Sequence, residues 1–218
     1  MTQKEKKERM QAIVAALEEI YPVPVCALEF DGDPWKLLVM GRLSAQCTDA
    51  RVNIVCRDLF ARFPTARDLA YADQAEVEKL IYSCGFFRAK AQSIIACSRM
   101  LVEDFDGEVP SDMEVLLTFP GVGRKIANLL RGDLFGLPVI VADTHCIRLG
   151  GRFGMYPEKE KNPARVEAIL AKIVAPEKQS DLCHRLVQFG RDVCTARAPR
   201  CDECPICHLC EKGRKKHD

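Results

Sequence analysis

Phe119-Pro120-Gly121-Val122-Gly123-Arg124-Lys125 runs directly into an apolar helical stretch, Ile126, Ala127, Leu129 and Leu130. Pro120 fixes one backbone dihedral, and the two glycines permit conformations that other residues resist. The result is a tight turn feeding a helix N-terminus. Free backbone N–H groups at such a terminus can hold a phosphate. Gly121, Gly123 and Arg124 are therefore candidate phosphate-contacting residues, although an ordinary helix–turn–helix uses the same turn with no ligand. Lys125 falls in the first turn of the new helix. The positive helix end and partial burial would both disfavour the ammonium form and free the amine as a nucleophile. A solvated helix lysine is the plainer alternative.

Eighteen positions on, Asp143 stands in Val141-Ala142-Asp143-Thr144-His145. An Asp before Thr144 and a stretch containing Ile147 and Leu149 is a good helix N-cap. A capped carboxylate is also rigidly aimed, which suits it to stabilise positive charge.

The pattern outside this region is helical almost throughout. Met10, Ile13, Val14 and Leu17 follow i, i+3, i+4, i+7 spacing. Ile94, Ile95, Ser98, Leu101, Val102 and Phe105 do so with one polar break. Ser111 and Glu114 predict a capping box before Val115, Leu116 and Leu117. Asn162 and Pro163 predict an N-cap and first helical residue, with Val166, Ile169, Leu170 and Ile173 as the buried stripe. Val139-Ile140-Val141 is too short to signal a sheet. The expectation is an all-α fold of about ten helices. A central array spans about 27–135, with its helix–turn–helix at about 112–135. The two ends, about 1–26 and 136–218, are expected to pack together as a second lobe.

Composition narrows the classes. The 218 residues are 48% hydrophobic, and the net charge of +1 does not by itself announce a nucleic-acid partner. The opening Lys4, Glu5, Lys6, Lys7, Glu8 and Arg9 are too charged for the apolar core of a signal peptide. No run approaches the roughly 18 apolar residues a membrane span needs. A soluble cytoplasmic protein is expected.

The twelve cysteines are unevenly placed. Cys26, Cys47, Cys56, Cys84, Cys97, Cys146 and Cys183 are scattered, several in helical apolar patterns where a thiol is a small hydrophobe. The others crowd near the C-terminus. Cys194, Cys201, Cys204 and Cys210 are spaced C-x6-C-x2-C-x5-C, close enough to converge on one metal centre at little loop-closure cost. Thiolates suit an iron–sulfur cluster or zinc, and spacing does not choose between them. Cys207 makes a second ligand set possible, and His208 is expected at the surface. Arg191, Arg197, Arg200, Lys212, Arg214, Lys215 and Lys216 surround the cluster. Arg197 and Arg200 could meet phosphates, whereas Lys215 and Lys216 read as a solvated tail.

The glycine turn with its lysine, the downstream Asp and the cysteine tail, in this order, resemble endonuclease III of the helix–hairpin–helix DNA glycosylase superfamily. Leu43-Ser44-Ala45-Gln46-Cys47-Thr48-Asp49, Gly107-Glu108-Val109-Pro110 and Gly190-Arg191 extend the likeness over roughly residues 10–212. The resemblance implies a two-lobed helical fold and a [4Fe-4S] cluster on Cys194, Cys201, Cys204 and Cys210, with Cys207 an extra. It implies a monomeric glycosylase and AP lyase acting on double-stranded DNA with damaged bases, oxidised pyrimidines among them, or abasic sites. Lys125 would attack C1′ and form a Schiff base, and Asp143 would stabilise the sugar cation. Such chemistry needs the nucleotide out of the stack. Gln46 matches the family residue that fills the vacated space, and Phe86 the position of an apolar wedge, with core packing the alternative. His145 would touch the DNA or simply pack.

Several positions depart from the family pattern: Ile126 where Thr is expected, Cys47 in place of a small residue, Cys146 in place of an apolar one, and Arg131-Gly132-Asp133 within the lysine's helix. The adenine-mismatch branch shares the cysteine spacing but lacks a lysine at the position of Lys125. Two other functions remain open: a glycosylase that uses water, and a non-catalytic DNA-binding iron–sulfur protein.

Overall fold

The computed structural model describes residues 1–217, with side chains described through residue 215, so Lys216 lies outside the described side chains. Among the described residues there is no strand. The α-helices are α1 (Gln3–Ile20), α2 (Pro34–Leu43), α3 (Asp49–Arg62), α4 (Ala66–Ala70), α5 (Gln74–Ile81), α6 (Phe87–Asp104), α7 (Met113–Leu116), α8 (Arg124–Phe135), α9 (Thr144–Arg152), α10 (Pro163–Ile173), α11 (Gln179–Asp192) and α12 (Glu211–His217). The twelve α-helices among the described residues exceed the roughly ten expected because α4 and α7 are under two turns long, too short for a 3.6-residue period to register. The chain folds as two compact units, Ala27–Phe135 and Met1–Cys26 with Gly136–Asp218.

In the Ala27–Phe135 unit, α2 is buried nearly all round, from Trp35 through Leu43. α6 buries a broad stripe that includes Ile94, Ile95 and Leu101. Each such side chain contributes about 1.5–3 kcal/mol when fully removed from water. Trp35 Nε1 donates to Ser98 Oγ at 2.9 Å, which satisfies a buried hydroxyl inside the α6 stripe. α8 lies against α2 at Gly41, where a Cβ would stand 3.3 Å from Ile126 Cγ2. Helix α8 runs unbroken through Gly132, which is buried. The capping box on Ser111 does not form. Asp112 caps α7 instead, accepting from Val115 N at 3.0 Å, because its carboxylate sits three residues before that N–H. The Ser111 carbonyl accepts from Arg131 Nε, at 3.0 Å.

In the other unit, α1 starts at a Thr2–Glu5 capping box and buries Met10, Ile13, Val14 and Leu17, packing against α10 and α11. Asn162 caps α10 with Pro163 in its first turn, and Val166, Leu170 and Ile173 are buried while Ile169 is half-buried at the stripe's edge. The Tyr156 hydroxyl donates to the Cys146 and Ile147 carbonyls, both at 3.1 Å. Gly150 leaves room for that ring: a Cβ there would collide with the Tyr156 hydroxyl.

Candidate functional site

The glycine turn is locked from beneath. Phe119 and Val122 are buried and anchor it. The Pro120 carbonyl accepts from Ser93 Oγ at 2.6 Å and from Cys97 Sγ at 3.0 Å. Ser93 Oγ in turn accepts from Arg42 Nε at 2.8 Å. Gly121 has φ +78°, and a Cβ on it would collide with Arg42 Nε and Ser93 Oγ. No other residue fits there. Gly123 differs: its backbone is ordinary, its surroundings are open, and its carbonyl accepts from Ala127 N to begin α8. Arg124 and Lys125 occupy the first turn of α8 and both are exposed. The expected partial burial of Lys125 is thus not found. The inward face of α8 is made by Ala127, Asn128 and Leu130, and Lys125 points off it.

Gln46 and Phe86 lie in the same unit on two separate turns. Gln46 has φ 53° and Phe86 φ 46°. The other described non-glycine residues with positive φ, Asp31 and Asp106, belong to a type that tolerates it, whereas a bulky aromatic does not. Held left-handed backbone costs about 1–3 kcal/mol and concentrates at ligand-contacting positions. Phe86 is 70% exposed, which rules out the core-packing alternative. Lys90 holds the two turns to each other. It is 1% exposed, and its Nζ donates at 2.8 Å both to the Leu43 carbonyl and to the Cys84 carbonyl. The sequence reading missed Lys90; its position four residues before Ile94, on the buried face of α6, is the signal that marks it.

Asp143 caps α9: its Oδ1 accepts from Cys146 N at 2.7 Å. The buried run Val139–Ala142 leads into it, so the half-buried carboxylate is fixed by the core on one side and by the helix on the other. His145, in the first turn of α9, is half-buried with Nδ1 3.2 Å from Arg148 Nη2. Arg148 Nη2 also donates to the Gly190 and Cys194 carbonyls.

Cys194, Cys201, Cys204, Cys207 and Cys210 line one cavity with Arg152. Arg152 is buried and organises the loop. Its Nη1 donates to Cys194 Sγ at 3.1 Å and to the Thr195 carbonyl at 2.7 Å, and its Nη2 to the Ala196 carbonyl at 2.8 Å. Burial pushes the Cys204 thiol up to about 11 and raises Cys210 as well. Thiols in this setting become thiolates by coordination rather than by simple ionisation. A tetrahedral zinc about 2.3 Å from each sulfur would hold the sulfurs about 3.8 Å apart. Among the described residues, no three of these sulfurs lie within 4.8 Å of one another. Cys207 packs against Gly213, where a Cβ would stand 2.6 Å from its Sγ. Arg197, Arg200 and Arg214 are exposed, as is His208. Lys212 pairs with Glu158 at 3.1 Å and Lys215 with Glu211 at 2.6 Å.

Likenesses to known proteins bear on this arrangement. The sequence profile of the HhH-GPD superfamily of base excision DNA repair proteins matches residues 39–176. Endonuclease III of Synechocystis sp. is 46% identical over 210 residues, covering 96% of this chain and 94% of its own. A solved non-covalent endonuclease III–DNA complex superposes with TM-score 0.90 at 37% identity, covering 100% of this chain and 99% of that one. A trapped endonuclease III–DNA covalent intermediate gives the same TM-score and identity, with both chains fully covered.

Proposed function

The chain belongs to the endonuclease III branch of the HhH-GPD superfamily of base excision DNA repair proteins, and on that premise we propose that Lys125 is the nucleophile of a bifunctional DNA glycosylase and AP lyase. The observation that carries the assignment is an exposed amine on the first turn of α8, behind a turn whose shape is dictated by Gly121. The substrate is double-stranded DNA carrying damaged bases, oxidised pyrimidines among them, or abasic sites. Gly121, Gly123 and Arg124 hold a phosphate at the helix terminus. Gln46 fills the space left by the extruded nucleotide, and Phe86 wedges from the other side. His145 contacts the DNA.

Lys125 Nζ attacks C1′ of the extruded nucleoside, and the C1′–base bond breaks with the electron pair leaving on the base. Asp143 stabilises the positive charge that develops on the sugar. Loss of a proton from nitrogen and opening of the ring give a Schiff base. Removal of a C2′ proton then expels the 3′ phosphate, which cuts the strand. Asp143 assists these proton transfers.

Cys194, Cys201, Cys204 and Cys210 would hold a [4Fe-4S] cluster, with Cys207 outside the ligand set. The convergence of these cysteines on one cavity and the Arg152 bond to Cys194 Sγ support a metal centre in this loop. When bound, such a cluster supplies thiolate–metal bonds that fix the C-terminal loop. No described helix is long and apolar enough to cross a membrane.

Lys125→Ala should abolish strand cleavage on duplexes carrying an oxidised pyrimidine. Base release that continues without cleavage in the unaltered protein would instead favour a water-using glycosylase. Binding without any turnover would favour the non-catalytic reading.

A further inference from the structure

The two left-handed turns share a chemical feature that the excision reaction does not use. Cys47 directly follows Gln46, and Cys84 stands two residues before Phe86. The Cys47 thiol stands close enough to Cys84 to disfavour its ionisation. Lys90 holds the backbone on both sides of that contact, bonding the Leu43 carbonyl ahead of one turn and the Cys84 carbonyl within the other. Cys47 N donates to the Ser44 carbonyl at 3.1 Å, fixing its own turn. Cys47 is half-buried and reachable from solvent, whereas Cys84 is 2% exposed. We propose that Cys47 and Cys84 form an oxidisable dithiol whose disulfide ties the Gln46 turn to the Phe86 turn.

The oxidant is a low-molecular-weight disulfide of the glutathione class. The Cys47 thiolate attacks one of its sulfurs, forming a mixed disulfide and releasing one thiol. The Cys84 thiolate then attacks the Cys47 sulfur and releases the second. The protein loses two protons and two electrons, and the oxidant leaves as two thiols. Burial raises the Cys84 thiol to about 11, and Cys47 is the accessible partner, so Cys47 reacts first and Cys84 resolves. Cys56 lies near both but is buried, with its thiol pushed further up. The Cys146–Cys183 thiol contact in the other unit has both members buried, with no accessible thiol to begin exchange. The functional consequence rests on the proposed roles of Gln46 and Phe86: turns that must move onto an opened duplex are tied at one spacing, and displacements of about 1 Å can cost as much as 100-fold in rate.

The test treats the full-length, cluster-loaded protein with oxidised glutathione, then maps peptides and measures excision. The expected result is a Cys47–Cys84 linked peptide lacking two hydrogens, with excision slowed about tenfold or more. Dithiothreitol restores the rate, and visible absorption stays constant throughout. Cys84→Ser should abolish both link and slowing, and the half-exposed Cys47→Ser serves if that variant folds poorly. A mixed disulfide that never resolves, a Cys56–Cys84 link, or a Cys47–Cys84 link with no change in rate overturns the proposal. Gln46→Ala and Phe86→Ala in reduced protein test the turns separately. Wild-type excision by both would overturn their assignment, while absence of the link overturns the dithiol.

Discussion

Gly121→Ala should destabilise the Ala27–Phe135 unit by about 3–4 kcal/mol. Alanine at φ +78° carries a penalty of about 1–2 kcal/mol. Its Cβ would also occupy the space held by Arg42 Nε and Ser93 Oγ, so both must withdraw. That breaks the Arg42–Ser93 bond at 2.8 Å and the Ser93–Pro120 bond at 2.6 Å, each contributing about 1 kcal/mol net. Gly123→Ala is the matched control. With ordinary backbone and open space, it should cost under about 1 kcal/mol, the range of a helix-cap change. Urea unfolding followed by circular dichroism measures both variants. Single-turnover cleavage of abasic duplex then reports whether Lys125 is still held in place. Equal stabilities for the two alanine variants would refute the account of the turn.

Asp143→Asn keeps an oxygen that can cap α9 and should change stability by less than about 0.5 kcal/mol, yet slow base release about 100-fold or more, in a denaturation and single-turnover comparison. Asp143→Ala should additionally lose about 1 kcal/mol of stability through the missing cap. Lys90→Met leaves the buried Leu43 and Cys84 carbonyls without their donor and should cost about 2 kcal/mol by urea unfolding. Cys210→Ser should give protein without the visible absorption of an iron–sulfur cluster, whereas Cys207→Ser should remain coloured.

Long periodic segments were legible in the sequence. Met10, Ile13, Val14 and Leu17 form a buried stripe because the helix has 18 residues in which to repeat its period. Asn162 and Asp143 were readable as caps because their side chains bond locally. Ser111 was misread because two adjacent residues could each cap, and only the folded turn selects Asp112. The Gly121 requirement was visible in its residue type, but its cause, Arg42 and Ser93 beneath it, comes from residues far along the chain. Lys90 and Arg152 escaped notice for a related reason. A buried cation satisfied by backbone carbonyls leaves no mark in sequence until those carbonyls are brought to it. The exposure of Lys125 depends likewise on which face of α8 meets the core.

Borohydride reduction during reaction with abasic duplex, followed by peptide mapping of the covalent product, tests the central assignment most directly. The sugar should be found on Lys125, and Lys125→Ala protein should give no adduct. An adduct on another amine, or one that persists in the alanine variant, would contradict the mechanism.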